Sequence, residues 1–171
     1  MPKFVKFKTR KFWNEFGDSH FLTFSTLDRI PYLTNDAICS FLAASIERAK
    51  VKHDFAVLAY VFMPDHVHLL LYPMKSEYDM SAISKSIKLS CSKKAKRAGL
   101  VENVLWEPGG GYDENYFNPA ARRDIIEYIH QNPVRKEFVA ESFSYRWSSA
   151  NWYHFGQQGD IECHFRDELS G

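Results

Sequence analysis

The chain has only three cysteines, Cys39, Cys91 and Cys163, and no two of them form a Cys-x-x-Cys pair. An odd, widely spaced set excludes a disulfide framework and a cysteine-built zinc site, and it suits reduced thiols in the cytoplasm. No apolar run approaches the length of a bilayer span, and no signal-peptide-like apolar region follows Met1, so a cytoplasmic protein without a membrane partner is expected. Internal repeats, low-complexity runs and linkers are also missing. The 171 residues are therefore expected to fold as a single domain, 1–171, with a real core.

Net charge is nearly absent as well: +1, in a chain that is 45% apolar and 25% charged. That balance is ordinary for a soluble domain, but the charges are unevenly placed. A basic and aromatic arm, residues 1–17, carries Lys3, Lys6, Lys8, Arg10 and Lys11 beside Phe4, Phe7, Phe12 and Trp13. Residues 85–97 carry Lys85, Lys88, Lys93, Lys94, Lys96 and Arg97 with no acid, while the acidic tail, 154–171, holds Asp160, Glu162, Asp167 and Glu168. Either basic segment alone could be solvated surface, and the arm could equally tuck its aromatics against a core. Together, in a chain that is 16% aromatic, they point to phosphates and unpaired bases.

Hydrophobic periodicity supplies the elements. His20 to Leu27 alternates as a first strand, and Asp28-Arg29-Ile30-Pro31 turns the chain. Thr34-Asn35-Asp36 offers an N-cap for a helix from Ala37 to about Val51, with Ile38, Phe41, Leu42, Ile46 and Ala49 at three- and four-residue spacing. Two apolar runs, Phe55 to Met63 and Val67 to Tyr72, flank Pro64-Asp65 as a hairpin. A second helix, capped by Asp79 or Ser81, runs to about Ala98 and closes at Gly99. Leu105-Trp106 reads as a short fourth strand, Gly109-Gly110-Gly111 as a loop, and Tyr112 to Phe117 as a further extended piece. A third helix starts at Asn118-Pro119 and is expected to stop near Asn132, because Pro133 follows. The remainder, with Phe143, Tyr145, Trp147, Trp152 and Tyr153, reads as a partly ordered aromatic tail. The order β-α-β-β-α-β predicts an α+β, ferredoxin-like sandwich with an antiparallel central sheet and an appended helix. Two helices cover one sheet face and leave the other for a site.

His66 and His68 open the second hairpin strand. Side chains two apart leave one face of a strand, so both imidazoles point the same way. Such a pair is half of a metal site, although seven histidines in 171 residues will sometimes fall so by chance. On the third helix, Tyr128 and Asn132 are four apart and share a face, placing a phenol one turn from an amide oxygen. A phenol there can act as a nucleophile beside a hard metal ligand, or simply pack.

Four segments occur in order: Met63-Pro64-Asp65-His66-Val67-His68-Leu69-Leu70, Trp106-x-Pro108, Glu127-Tyr128-Ile129-His130-Gln131-Asn132-Pro133-Val134, and Trp147-Ser148-Ser149. Together they resemble the single-tyrosine HUH transposases, most closely the REP-associated tyrosine transposase branch, over residues 18–153. The resemblance implies a ferredoxin-like fold, a bound Mg²⁺ or Mn²⁺, and cleavage of single-stranded DNA near imperfect hairpins. It assigns His66 and His68 as paired metal ligands and Tyr128 as nucleophile. Asn132 takes the third-ligand position, where insertion-sequence enzymes commonly have glutamine; Gln131 is the alternative. The glycine triplet at 109–111 departs from the relatives. Imidazole suits zinc or manganese better than magnesium, so the choice of Mg²⁺ or Mn²⁺ comes from the resemblance.

The expected activity is that of a DNA strand transferase: a metal-dependent endonuclease and transesterase working through a 5′-phosphotyrosine. Lys85, Lys88, Lys93, Lys94, Lys96 and Arg97, with Lys6, Lys8, Arg10 and Lys11, are expected to hold the DNA. A non-catalytic regulator that binds structured DNA or RNA is the alternative, and the joint presence of His66, His68 and Tyr128 weighs against it. A small-phosphoester hydrolase is disfavoured by the basic surface and the lack of a carboxylate cluster. Asp65 is expected to shape the turn, and His130 to leave a different helix face from Tyr128.

Overall fold

The alternation in residues 66–72 decides how the sheet is dressed on its two sides. In the computed structural model, which describes residues 16–169, the elements are β1 (Ser19–Ser25), α1 (Asp36–His53), β2 (Phe55–Met63), β3 (His66–Pro73), α2 (Met80–Arg97), β4 (Tyr112–Tyr116), α3 (Pro119–Arg135) and α4 (Ala150–Phe155). The strands form one sheet in the order β2-β3-β1-β4, with every neighbouring pair antiparallel. This is the ferredoxin-like split βαβ arrangement.

Val67, Leu69 and Leu71 of β3 join Leu22, Phe24, Val57, Tyr60 and Phe62 on one face. Against them α1 lays Ile38, Leu42 and Ile46, and α2 lays Ile83, Ile87 and Cys91, all fully buried. The opposite face carries Phe21, Val61, Met63, Leu70 and Tyr72, with Ile129 of α3 packed on them. A register shift between Val57 and Ala59 lets β2, buried along its whole length, serve both sides. The helix starts follow local chemistry: Asn35, Asp79 and Asn118 each accept a backbone N–H of the first turn. At the end of α1, Asp54 sits in the left-handed region and turns the chain into β2.

Two expectations need correction. Leu105-Trp106 is not a strand: Trp106 makes only an isolated bridge to Thr26 and is buried against Phe24. The fourth strand is instead the expected further extended piece, at Tyr112–Tyr116, a half-buried strand that carries two acids. The third helix does not stop near Asn132 but runs through Pro133 to Arg135. Proline forfeits one hydrogen bond there, so near the helix end the cost is small, and the Lys136 and Phe138 N–H groups satisfy the Asn132 and Pro133 carbonyls.

The aromatic tail also has a definite place. Ser148 bridges Val61 on the outer edge of β2, the Phe62 N–H donates to the Trp147 carbonyl at 2.8 Å, and the Ser149 N–H donates to the Tyr60 carbonyl at 3.0 Å. Further on, Cys163 runs parallel to Val57, and the His164 N–H donates to the Val57 carbonyl. Among the described residues no helix is long and apolar enough to cross a membrane.

Candidate active site

β3 delivers His66 and His68 to the face that α3 covers, with ring centroids 4.8 Å apart. Each Nδ1 has a fixed partner. The His66 Nδ1–H donates to Asp65 Oδ1 at 2.6 Å, and Asp65 also faces Arg29 at 3.5 Å. Thr23, opposite His68 in β1, brings its Oγ1 to 2.8 Å from His68 Nδ1. Partners on both Nδ1 atoms orient both rings and leave Nε2 to face the site. Asp65 thus does more than shape the turn. Thr23 carries no sequence signal, and only the strand register reveals it.

Electrostatics keep these rings neutral. Burial pushes the His68 pKa down to about 3, and the charges of His66, Arg135 and Arg29 add to the effect. Burial also lowers His66, although the Asp65 hydrogen bond opposes it. For Asp65 burial acts to raise the pKa, but the His66 hydrogen bond and the His66 and Arg29 charges outweigh it and hold the carboxyl below its usual value. Neutral imidazole is the form that binds metal.

α3 brings Tyr128 over this pair. Its ring centroid lies 5.5 Å from that of His68 and 6.0 Å from that of Phe21, while Phe21 stacks on His68 at 5.3 Å. Asn132 is buried on the following turn, and Gln131 is half-buried. Arg135, one turn further, places its guanidinium 4.5 Å from the Tyr128 ring centre and donates from Nη2 to the Tyr128 carbonyl at 3.0 Å. Tyr128, Asn132 and Arg135 therefore make one stripe of α3, at i, i+4 and i+7. Sequence reasoning missed Arg135, although that spacing contained it. His130 leaves another side, buried, with Nε2 2.8 Å from Ser149 Oγ.

The donor set fits a divalent ion. His68 Nε2 is buried and has no hydrogen-bond partner among the described residues, an arrangement that is costly unless a further group meets it. No three His, Cys, Asp or Glu side chains gather among the described residues, so a third protein ligand would be an amide such as Asn132 or Gln131. Oxygen from an amide, water and phosphate beside two imidazoles suits Mn²⁺ and tolerates Mg²⁺.

The basic residues lie elsewhere. Lys85, Lys93, Lys96 and Arg97 are exposed on α2 and Lys94 is half-exposed, in the helix layer on the far side of the sheet from the histidines. Lys88 is turned inward: its ammonium donates to the Glu107 and Gly109 carbonyls at 2.7 and 2.8 Å, and burial lowers its pKa. It pins the glycine loop. At Gly111, φ is +79° and a Cβ would strike the Thr23 carbonyl, so glycine is required where the chain enters β4 beside the His68 partner. Lys6, Lys8, Arg10 and Lys11 lie outside the described residues.

Comparison with known proteins gives the family and the fold. A Haemophilus influenzae protein assigned as a REP-associated tyrosine transposase is 23% identical over 147 residues, covering 78% of this chain and 80% of that protein. The solved structure of a REP-associated tyrosine transposase bound to a REP hairpin superposes with a TM-score of 0.74 at 20% identity, covering 94% of this chain and 93% of the other. The IS200-like transposase family matches residues 19–132, from the first residue of β1 to Asn132 and through both histidines and Tyr128. The chain belongs to the IS200-like transposase family.

Proposed function

We propose that the protein cuts single-stranded DNA beside hairpins and rejoins it through a covalent bond to Tyr128. The observation that carries this reading is the placement of the Tyr128 ring 5.5 Å from His68, whose Nε2 is buried without a partner among the described residues. The hairpin substrate is supported by the relative that binds a REP hairpin. Such a substrate places the enzyme in the cytoplasm.

The residues divide the work. Asp65 and Thr23 hold the two imidazoles in one orientation, and the Asp65 carboxylate, which only accepts, keeps the His66 proton on Nδ1. His66, His68 and Asn132 would hold a Mg²⁺ or Mn²⁺ ion, which supplies positive charge to the phosphate as negative charge develops there. Phe21 and Arg135 fix the Tyr128 ring from two sides, so the phenol is presented with little rotational freedom left to lose. The Tyr128 oxygen forms a bond to phosphorus while the bond to the 3′ oxygen breaks. One strand ends in a free 3′-OH and the other is held as a 5′-phosphotyrosine. The phenol proton is given up in the exchange and the 3′ alkoxide gains one. One phosphodiester replaces another, so a second strand's 3′-OH can reverse the step without ATP.

The test is a denaturing gel of the protein incubated with a hairpin oligonucleotide carrying single-stranded flanks. With Mn²⁺ or Mg²⁺ a covalent adduct is expected, chelator abolishes it, and peptide mapping places the nucleotide on the peptide containing Tyr128. An adduct mapped to another residue overturns the reading.

A further inference from the structure

β4 crosses the same face as the histidines, two strands away from β3. Thr23 pairs with His68 on one side and with Tyr112 on the other, and Phe21 pairs likewise with Leu70 and Glu114. Directly paired residues share a face, so Tyr112, Glu114 and Tyr116 line up beside the candidate active site. Their side chains converge. The Tyr112 hydroxyl donates to Glu114 Oε2 at 2.5 Å, and the Tyr116 hydroxyl donates to the same oxygen at 2.9 Å. Both rings stand edge-on to Phe21, at 6.4 and 6.5 Å, and Phe21 is also the ring that contacts His68 and Tyr128. One phenylalanine thus joins the carboxylate cluster to the proposed nucleophile. α3 packs chiefly on β2 and touches β3 and β4 about equally; Tyr112 is 38% exposed and Glu114 is half-buried.

A carboxylate is an awkward neighbour for DNA phosphates, because it repels them. Here it is oriented by two phenols rather than neutralised by a cation among the described residues, and both phenols take Oε2. Oε1 has no partner among the described residues, and its two lone-pair directions can take two donors from outside. An ionised carboxylate only accepts hydrogen bonds, so its partner must present donors. Among the bases, guanine alone offers two adjacent donors, N1–H and N2–H, on its pairing edge. Cytosine and adenine set an acceptor nitrogen beside their amino group, and thymine flanks its N3–H with two carbonyls. In a duplex that guanine edge is occupied by cytosine, so only an unpaired guanine can use it.

We infer that Tyr112, Glu114 and Tyr116 form a base-reading subsite for an unpaired guanine adjacent to the scissile phosphate. Two strands of separation, about 10 Å, lies within the reach of one nucleotide. The two phenols orient the carboxylate, and Glu114 supplies discrimination. The location beside the scissile phosphate rests on the reading of Tyr128 given above; the guanine preference does not.

The test uses the full chain and fluorescent oligo-dT strands carrying one dG, dC or dA at each position in turn, with affinity measured at fixed salt. The best-placed dG strand should bind about tenfold tighter than oligo-dT. Glu114→Gln, nearly isosteric on a half-buried strand, should lose that preference and shift toward dA, whose N6–H and N7 match an amide. Oligo-dT should bind this variant as well as it binds the parent, or better. Removing both hydroxyls with Tyr112→Phe and Tyr116→Phe should reduce the dG preference to a few-fold. No dG preference in the parent, a preference for another base, or a dG preference unchanged in Glu114→Gln overturns the inference. The assay requires no cleavage, so it separates the two readings: if Tyr128→Phe still forms adducts, the catalytic assignment falls while a Glu114-dependent dG preference still stands.

Discussion

The two faces of this sheet are built from the same four strands and are used in opposite ways. Toward α1 and α2, β3 sends Val67, Leu69 and Leu71 into an apolar layer. Toward α3, residues one step away in the same strand, His66 and His68, sit among polar partners, and His68 keeps a buried nitrogen with no partner among the described residues. The dry face stabilises the fold; the other holds polar groups in orientations that cost stability unless a ligand meets them. A single strand can do both because its side chains alternate.

The sharpest way to break this contrast is on the site face. Tyr128→Phe removes one oxygen and keeps the ring beside Phe21 and His68, so adduct formation should fall by at least about a thousandfold. The melting temperature should stay within a few degrees of the parent. Covalent capture by the phenylalanine variant would show that the nucleophile lies elsewhere.

Neighbouring positions should then separate activity from stability. Leu69→Ala empties a fully buried site and should cost about 2–5 kcal/mol in denaturant unfolding. His68→Ala, one residue away, should cost only about 1 kcal/mol, since it also removes a buried nitrogen with no partner among the described residues. It should nevertheless abolish metal-dependent cleavage while hairpin binding persists. Equal stability losses would erase the contrast between the faces.

Acidification offers a third, gentler test. Burial lowers His68 to about 3 and His130 to about 4, from an ordinary 6.5. The unfolded chain therefore binds protons below pH 6.5 that the folded one refuses, and stability must fall as pH drops. Each such histidine contributes a slope of about 1.4 kcal/mol per pH unit, flattening as the folded form titrates. His130→Gln can keep a hydrogen bond to Ser149 and should remove about one proton's worth of slope between pH 6 and 4.5. Urea unfolding across that range measures it, and an unchanged slope would mean His130 is charged in the native state.

The smallest effect is expected on the far layer. Replacing Lys93, Lys94, Lys96 and Arg97 with glutamine should weaken single-strand binding and flatten its salt dependence, by about 0.7 in the log–log slope for each phosphate no longer neutralised. Cleavage of saturated substrate should be unaffected. An identical slope would leave that helix face as solvated surface.

Much of this is legible in local patterns. The hairpin, the cap residues Asn35, Asp79 and Asn118, and the shared face of His66 and His68 follow from periodicity and turn chemistry alone. What escapes is non-local. Thr23 becomes a partner of His68 only through strand register, and it is the pairing with β1 that makes the extended piece at Tyr112–Tyr116, rather than Leu105-Trp106, the fourth strand of the sheet. Leu105-Trp106 looks like a strand because burial and strand pairing favour the same residue types. Pro133 reads as a stop, although a proline in a last turn forfeits only one bond. Arg135 stays hidden for the same reason: it lies past the point where the helix is expected to end.

The tail bears on how the molecule behaves in company. An edge strand with free N–H and C=O groups is a template for another chain, and β2, uniformly apolar, would be a sticky one. Residues 147–149 and 163–164 occupy that edge with backbone hydrogen bonds of their own. Ser149 goes further: its hydroxyl accepts the Tyr60 N–H and lies against His130 of α3. Shortening the chain before Trp147 would therefore do two things at once. It would uncover an aggregation-prone border, and it would untie the helix that carries Tyr128 from the sheet beneath it.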